Sequence, residues 1–457
     1  MTHFNRLPLD PAILTNLDAL GYTQMTPIQS QCLPQIMQGH DIIAQAKTGS
    51  GKTAAFGLGL LHRLIPRQFA VQALVVCPTR ELADQVGKEI RSLARNIPNI
   101  KLVTLCGGTP IKPQYESLQH GSHIVVGTPG RLQKHLQEGT LKLDKLQVLV
   151  LDEADRMLDM GFYDDMVAIL QHTPLKRQTL LFSATYPDTI RQLSAAFQHE
   201  PVEVRIESEH EISHIKQLFF EFQKGARTKT LLALLAEYRP ETTLIFCNTR
   251  QQCQELVEDL KDKGLPAQTI HGDMEQKERD QVLIQFANRS CPILVATDVA
   301  ARGLDIKDLD AVINFELTRD PEVHIHRIGR TGRAGKTGLA LSLFMPSEAN
   351  RVNMIETYQN SPVQYGRVKL LAEDETIKLK PTMVTLRIQG GRKDKLRPGD
   401  ILGALTKETG IPAKQIGKID VLNTVSFVAV ERPVAKQSLK QLTEGKIKGR
   451  KFRIKRL

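Results

Sequence analysis

The chain has 457 residues. At roughly 150 residues per domain, that length points to about three domains rather than one core. Hydrophobic residues make up 41% and charged residues 24%, an ordinary balance for a globular protein. No apolar run approaches the roughly 20 residues that span a bilayer, and the start, Met1-Thr2-His3-Phe4-Asn5-Arg6, lacks the apolar core of a secretion signal. A cytoplasmic location with no membrane partner is expected. The net charge of +11 is uneven: Pro381–Leu457 carries 18 Lys and Arg against 6 Asp and Glu, while the rest sums to −1. A basic segment of this size suits a polyanion, most often nucleic acid, although a solvated basic surface has the same composition. Six scattered cysteines without C-x-x-C spacing argue against a disulfide framework or a zinc site.

From Asp41 to about Ile206, short β-branched runs alternate with helical patterns. The runs are Asp41–Gln45, Ala73–Cys77, Leu102–Leu105, Ile124–Val126, Val148–Leu151 and Thr179–Phe182. They are apolar throughout, as strands buried on both faces should be. Intervening stretches such as Glu81–Ala94 have helical periodicity, so an open parallel sheet wrapped by helices is predicted. The pattern restarts after the polar stretch Glu207–Glu211, at Thr243–Cys247, Ala267–Ile270, Ile293–Ala296, Ala311–Phe315 and Leu339–Phe344. A helix follows Met345 to about Tyr358. The last 77 residues read β-α-β-β-α-β: strand Met383–Ile388, helix Pro398–Thr409, strands Ile416–Val421 and Ser426–Val430, helix Val434–Leu442 and closing strand Lys451–Leu457. The expected fold class is α/β: two tandem RecA-like parallel-sheet domains followed by a small α+β domain. The expected boundaries are 1–206, a linker 207–216, 217–365, a connector 366–380 and 381–457.

Ala46-Lys47-Thr48-Gly49-Ser50-Gly51-Lys52-Thr53 follows a strand and opens a helix. In such a loop, backbone N–H groups and the helix N-terminus cradle phosphates, and glycines let the chain come close. Lys52 supplies charge to the β- and γ-phosphates, and Thr53 a hydroxyl for Mg²⁺. The loop alone fits a kinase, a transporter ATPase or a GTPase equally well. Only the first half carries such a loop, which suggests one ligand shared by two similar domains. Val148–Leu151 leads into Asp152 and Glu153. Asp152 at the strand tip suits Mg²⁺, directly or through a water, and Glu153 suits a general base for the attacking water. Acidic residues ending a strand also serve as simple helix caps.

Asp152-Glu153-Ala154-Asp155, in this context, resembles the DEAD-box ATP-dependent RNA helicases, and the resemblance runs from about residue 4 to 345. It implies ATP and Mg²⁺ as cofactors. Gly21-Tyr22 with Thr26-Pro27-Ile28-Gln29 resembles the adenine-reading segment, with Tyr22 and Gln29 at the base and Phe4 nearby. Ala46, Thr48, Gly49, Ser50, Gly51, Lys52 and Thr53 are then the phosphate residues. Pro78-Thr79-Arg80, Gly107-Gly108 and Thr128-Pro129-Gly130-Arg131 resemble RNA-backbone segments, implicating Arg80, Gly108, Thr128, Gly130 and Arg131. Arginines, hydroxyls and glycine N–H groups suit phosphates and carry no base code. Ser183-Ala184-Thr185, with Asp155, resembles the segment that couples hydrolysis to strand separation. In the second half Thr249, Gly272 and Thr297 align with RNA contacts, and Gly303 and Asp305 with the ATP ribose. In His326-Arg327-Ile328-Gly329-Arg330-Thr331-Gly332-Arg333, Arg330 and Arg333 align with arginine fingers; three apart, they share one face if helical. The resemblance makes Glu153, Asp152, Lys52, Arg330 and Arg333 the catalytic group.

The basic βαββαβ tail resembles an RNA-recognition motif, and the combination resembles the bacterial DbpA type. That implies action on a hairpin region of large-subunit ribosomal RNA in pre-ribosomal particles; a monomeric protein is expected. Lys446, Lys448 and Arg450 precede the closing strand. The tail departs from the pattern, because such domains stack bases on sheet aromatics. Here only Phe427 stands at an outward platform position, Val425 replaces its usual neighbour and Thr385 replaces the first-strand aromatic. Grip by Arg387, Arg392, Lys393, Lys446, Lys448, Arg450, Arg453 and Lys455 is the alternative. An ATP-gated RNA clamp with negligible unwinding has the same motifs, as does a DNA translocase apart from its backbone-reading segments.

Overall fold

The computed structural model describes residues 3–46, 49–186, 188–206, 215–301, 309–332, 337–368, 379–406 and 410–457. The chain divides into two compact units: one holds the first parallel sheet, the other holds the second parallel sheet and the tail sheet.

The first sheet contains β1 (Ile42–Gln45), β2 (Ala73–Val76), β3 (Leu102–Leu105), β4 (Ile124–Gly127), β5 (Val148–Asp152), β6 (Gln178–Ser183) and β7 (Val202–Arg205). Their order is β3-β4-β2-β5-β6-β1-β7, and all pairings are parallel. Alternate residues feed two separate cores. Ile42, Ala44, Ala73, Val75, Val148 and Val150 pack on one face, and Ile43, Leu74, Val76, Leu149 and Leu151 on the other. Two buried faces explain why the strands read as unbroken apolar runs. The order also sets β5, β6 and β1 side by side, with Gln45 level with Ser183 and Asp152 level with Phe182. The helix Lys52–Arg63 leaves the end of β1 and crosses close to the helix Pro27–Gln38. A Cβ on Gly59 would lie 2.3 Å from Ile36, so that approach requires glycine.

The second sheet contains β8 (Ile215–Glu221), β9 (Thr243–Phe246), β10 (Ala267–Ile270), β11 (Ile293–Ala296), β12 (Ala311–Asn314), β13 (Gly338–Phe344) and β14 (Gln364–Gly366). Its order, β10-β11-β9-β12-β13-β8-β14, repeats the first position for position. The repetition extends to a cap. Thr79 Oγ1 accepts from Leu82 N (3.3 Å) after β2, and Thr249 Oγ1 accepts from Gln252 N (3.2 Å) after β9. Strand β8 begins at Ile215, inside the stretch expected as linker, and the short edge strands β7 and β14 were also unexpected.

The tail forms β15 (Met383–Ile388), a helix Pro398–Thr406, β16 (Ile416–Val421), β17 (Ser426–Glu431), a helix Ala435–Glu444 and β18 (Ile454–Arg456). The sheet is antiparallel, in the order β16-β17-β15-β18. The expected β-α-β-β-α-β order is present; the closing strand is shorter than the sequence suggested. Val384, Leu386, Ile388, Val428 and Val430 pack with Ile401, Leu405 and Leu442 of the two helices. On the other face Thr385, Phe427 and Ala429 are buried as well. The Thr385 hydroxyl lies 2.7 Å from Ser290 Oγ and 3.3 Å from Asn288 Nδ2, both from the second parallel-sheet domain.

Candidate functional site

In the first unit, the strand order gathers the sequence-predicted ATP residues around the tips of β1, β5 and β6. Ala46 continues β1 and donates its N–H to Ser183 O (3.0 Å). Gly49 (φ 89°) and Gly51 (φ 93°) adopt left-handed conformations that side chains resist, which turns the loop into the helix at Lys52. Ser50 and Thr53 are half-buried on this turn, and Thr48 lies outside the described residues. Lys52 is buried, and its Nζ donates to Ala46 O (2.9 Å) across the loop.

Asp152 ends β5 and is buried, with Oδ1 making no hydrogen bond. Burial pushes its carboxyl up to about 7, with Lys52 opposing that shift and Glu153 adding to it. A buried carboxylate oxygen without a donor is costly. Together with the half-buried Thr53, this donor set fits a hard cation held by oxygen ligands. Glu153 sits at φ 53°, a left-handed conformation unusual for a side-chain-bearing residue. Its Oε2 accepts from Arg156 Nη1 at 2.7 Å, with both side chains buried. The next carboxylate is occupied differently. Asp155 Oδ2 accepts from Ala184 N (3.1 Å), Thr185 N (3.0 Å) and Thr185 Oγ1 (3.2 Å). Asp155 N in turn donates to Ser183 Oγ (3.3 Å). The Ser183–Thr185 segment is thereby fastened directly behind Asp152 and Glu153.

Gln29 is buried under the phosphate loop. Its Oε1 accepts from Thr26 N (2.9 Å) and its Nε2 donates to Gly51 O (3.1 Å). One N–H and one lone pair of the amide therefore remain for a base. Tyr22 is half-buried and meets the buried Phe4 ring edge-on at 6.2 Å.

The RNA-type residues of this unit follow β2, β3 and β4: Arg80 opens the helix Arg80–Leu93, Gly108 lies on the loop after β3, and Thr128 is the N-cap of the helix Pro129–Gln137 that carries Gly130 and Arg131. The Arg80 guanidinium lies against Gly107 and Gly108, where a Cβ on Gly108 would fall 1.7 Å from Nη1. Gly130 is exposed and Thr128 half-buried. Arg131 Nη1 donates to Gln114 Oε1 (2.9 Å), and both terminal nitrogens reach Thr109 O at 3.3 Å.

In the second unit Thr249 and Gly272 are exposed and Thr297 is buried at the end of β11. Arg250 Nη1 pairs with Asp273 Oδ1 (2.6 Å) beside Gly272. The helix Pro321–Ile328 stops at Gly329, so Arg330 follows it in a turn and the shared helical face expected for Arg330 and Arg333 does not apply. Arg330 is buried; Arg333, Gly303 and Asp305 lie outside the described residues. Lys446, Lys448 and Arg450 are exposed on a turn where Lys448 (φ 51°) and Gly449 (φ 76°) are left-handed. Lys448 Nζ donates to Lys395 O (2.9 Å). Phe427 is only 2% exposed, because the face expected to point outward is covered by the neighbouring domain.

Two buried arginines were missed from sequence. Arg156 grips Glu153, and its spacing of three within one helical turn was the available signal. Arg327 is 1% exposed and forks onto Asp298 through Nε (2.6 Å) and Nη2 (2.8 Å). It also donates to Glu316 O (2.7 Å), Asn248 Oδ1 (3.0 Å) and Asn314 Oδ1 (3.2 Å). It joins the loops after β9, β11 and β12, a set visible only once the strand order is known.

Comparison with known proteins agrees with this geometry. Residues 26–193 match the DEAD/DEAH box helicase model, 226–335 the helicase conserved C-terminal domain and 385–456 the DbpA RNA binding domain. The ATP-dependent RNA helicase DbpA of Escherichia coli is 51% identical over 465 residues, covering 100% of both chains. The DEAD-box ATP-dependent RNA helicase CshA of Geobacillus kaustophilus is 44% identical, over 78% of this chain and 76% of its own. S. cerevisiae Dbp5 bound to RNA and ADP BeF3 superposes with a TM-score of 0.74 at 30% identity, over 80% of this chain and 96% of that one. The chain therefore belongs to the DEAD-box ATP-dependent RNA helicases, and among them to those carrying a DbpA RNA-binding domain.

Proposed function

We propose that this RNA helicase hydrolyses ATP through Glu153 and unwinds short RNA duplexes locally. Its basic tail tethers it to a hairpin region of large-subunit ribosomal RNA during ribosome assembly. The observation that carries the hydrolytic part is the orphaned Asp152 Oδ1 at a strand tip, with Lys52 as a charge neighbour and Glu153 next in the chain. Asp152 and Thr53 would hold Mg²⁺, which when bound neutralises charge on the phosphates. Lys52 exchanges its bond to Ala46 O for the β- and γ-phosphates, while the N–H groups of Gly49–Thr53 receive the remaining oxygens. Glu153 accepts the proton of the attacking water. Arg156 holds that carboxylate in place through its 2.7 Å bond. Asp155 passes any movement at the phosphates to Ser183 and Thr185 through the bonds already described. Arg330 and Arg333 supply guanidinium charge to the γ-phosphoryl group as it passes to water and ADP leaves, and Gly303 and Asp305 hold the ribose. Gln29 and Tyr22 hold the adenine.

RNA is gripped through its backbone by Arg80, Gly108, Thr128, Gly130, Arg131, Thr249, Gly272 and Thr297. The likeness to Dbp5, whose structure holds RNA and ADP BeF3, supports both ligands. In the tail, burial of Thr385 and Phe427 favours charge over stacking, with Lys446, Lys448 and Arg450 exposed to phosphates. Tethering raises the local concentration of motor near its duplex without new contacts to it. The protein acts as a cytoplasmic monomer; among the described residues no helix is long and apolar enough to cross a membrane.

Strand displacement tests the proposal, using a short RNA duplex beside a large-subunit ribosomal hairpin and the same duplex alone. The full chain is expected to displace the hairpin-linked strand faster, and a chain ending before Pro381 to lose that preference. ATP-dependent retention of RNA without displacement would make the protein a clamp, and equal rates on both substrates would remove the tether.

A further inference from the structure

The first unit buries a polar cluster that neither the ATP site nor the apolar core requires. Gln114, on the helix Lys112–Gln119, is 8% exposed and uses its whole amide. Its Nε2 donates to Cys106 O (3.0 Å) and Thr109 Oγ1 (2.9 Å), on the loop that leaves β3. Its Oε1 accepts from Arg131 Nη1 (2.9 Å) and lies 3.0 Å from His135 Nε2, both on the helix that follows β4. His135 is fully buried, and its Nδ1 faces Thr140 Oγ1 at 2.8 Å. Burial and the nearby Arg131 charge lower its pKa. Both imidazole nitrogens thus lie within hydrogen-bond reach of a polar neighbour, and the Thr140 hydroxyl also donates to His135 O (3.1 Å).

The segments joined in this way carry Gly108 on the loop after β3, and Thr128, Gly130 and Arg131 at the start of the helix Pro129–Gln137 after β4. Strands β3 and β4 are parallel neighbours, with Leu105 level with Gly127, so both segments leave the same sheet edge. Arg80 also packs against Gly107 and Gly108. A fully satisfied buried network is rigid, because each member would lose bonds if it moved. We propose that Gln114 is a positioning residue for RNA. It holds the glycine turn and the Arg131 guanidinium in one fixed relation, so that the RNA backbone meets donors already set in place. The inference rests on the reading that Gly108, Thr128, Gly130 and Arg131 face RNA.

The test uses the full chain and titrates a single-stranded oligouridylate against ATP turnover, separating the half-saturating RNA concentration from the maximal rate. Gln114→Met keeps the side-chain length and removes all four bonds. It is expected to raise half-saturation roughly tenfold, the effect of losing an ordered charge-assisted bond, while ATP affinity without RNA stays at the parent value. Arg131→Ala is expected to weaken RNA by a similar factor. The double variant should be no weaker than Arg131→Ala by more than about twofold, because a residue acting through another gives non-additive effects. Gln114→Glu keeps the two accepted bonds and should fall between the parent and Gln114→Met.

Parent-like half-saturation in Gln114→Met beside a weakened Arg131→Ala would overturn the positioning role and leave the RNA reading intact. Additive losses in the double variant would also overturn it, as would a Gln114→Glu variant as weak as Gln114→Met. Loss of ATP affinity in Gln114→Met would reduce Gln114 to a folding role. An Arg131→Ala variant with unchanged half-saturation would instead sink the RNA reading of this face.

Discussion

Replacing Arg327 with Met should destabilise the second unit by about 4 kcal/mol. Its guanidinium is 1% exposed, makes five hydrogen bonds and lies 5.0 Å from the Phe246 ring centroid. Removing one partner of a buried ion pair costs about 3–5 kcal/mol, because the other charge stays behind unpaired. Asp298 is 23% exposed and recovers some hydration, which favours the lower part of that range for the pair alone. Asn314, the last residue of β12, is fully buried, so its freed Oδ1 adds about 1 kcal/mol. Arg327→Lys keeps a charge but loses the fork, and about half the loss is expected to remain. Native-state hydrogen exchange of β9 and β12 amides reports opening of this unit without interference from the first. A loss below about 1 kcal/mol for Met, or full protection in the Lys variant, would refute the claim that the forked geometry holds these loops together.

His324 gives a pH dependence with a definite sign. Burial, reinforced by Arg327, lowers its pKa to about 3, against 6.5 when exposed. The unfolded chain therefore takes up a proton between those values while the folded chain does not, and stability falls as the pH drops below about 6.5. At pH 5 the loss from this residue is about 2 kcal/mol, and His324→Gln should remove that slope from unfolding curves compared at pH 7 and 5. Gly108→Ala should cost the first unit about 1–2 kcal/mol through its φ of 70°. The added methyl would also displace the Arg80 guanidinium. Calorimetry and RNA half-saturation should therefore both shift.

Much of the candidate site's arrangement was legible because its residues sit at strand tips in motifs of a few residues. Gly49–Thr53 and Asp152–Asp155 are local patterns, and doubly buried strands such as Ala73–Val76 announce themselves by their apolar composition. The edge strands β7 and β14 did not. Val202–Arg205 alternates exposed and buried positions over only four residues, and Gln364–Gly366 is half-exposed to exposed, so neither has the apolar signature of a central strand. The duplication itself was legible in the restarted strand pattern; only the exact strand order lies in spatial neighbours rather than in residue identity. Partnerships across the chain were the other blind spot. Gln114 with Arg131, and Arg327 with Asp298 and Asn248, span distances in sequence that only sheet order closes. Phe427 shows the same limit. The resemblance to an RNA-recognition motif placed it off the tail's helix-facing core, but could not reveal that another domain covers that side.

Single-turnover hydrolysis by Glu153→Gln with saturating RNA is the most direct check on the proposed chemistry. The amide keeps the shape and a contact to Arg156 but cannot take a proton at neutral pH. ATP should bind as in the parent chain while hydrolysis slows by about a hundredfold or more. Hydrolysis near the parent rate would remove Glu153 from the role of base.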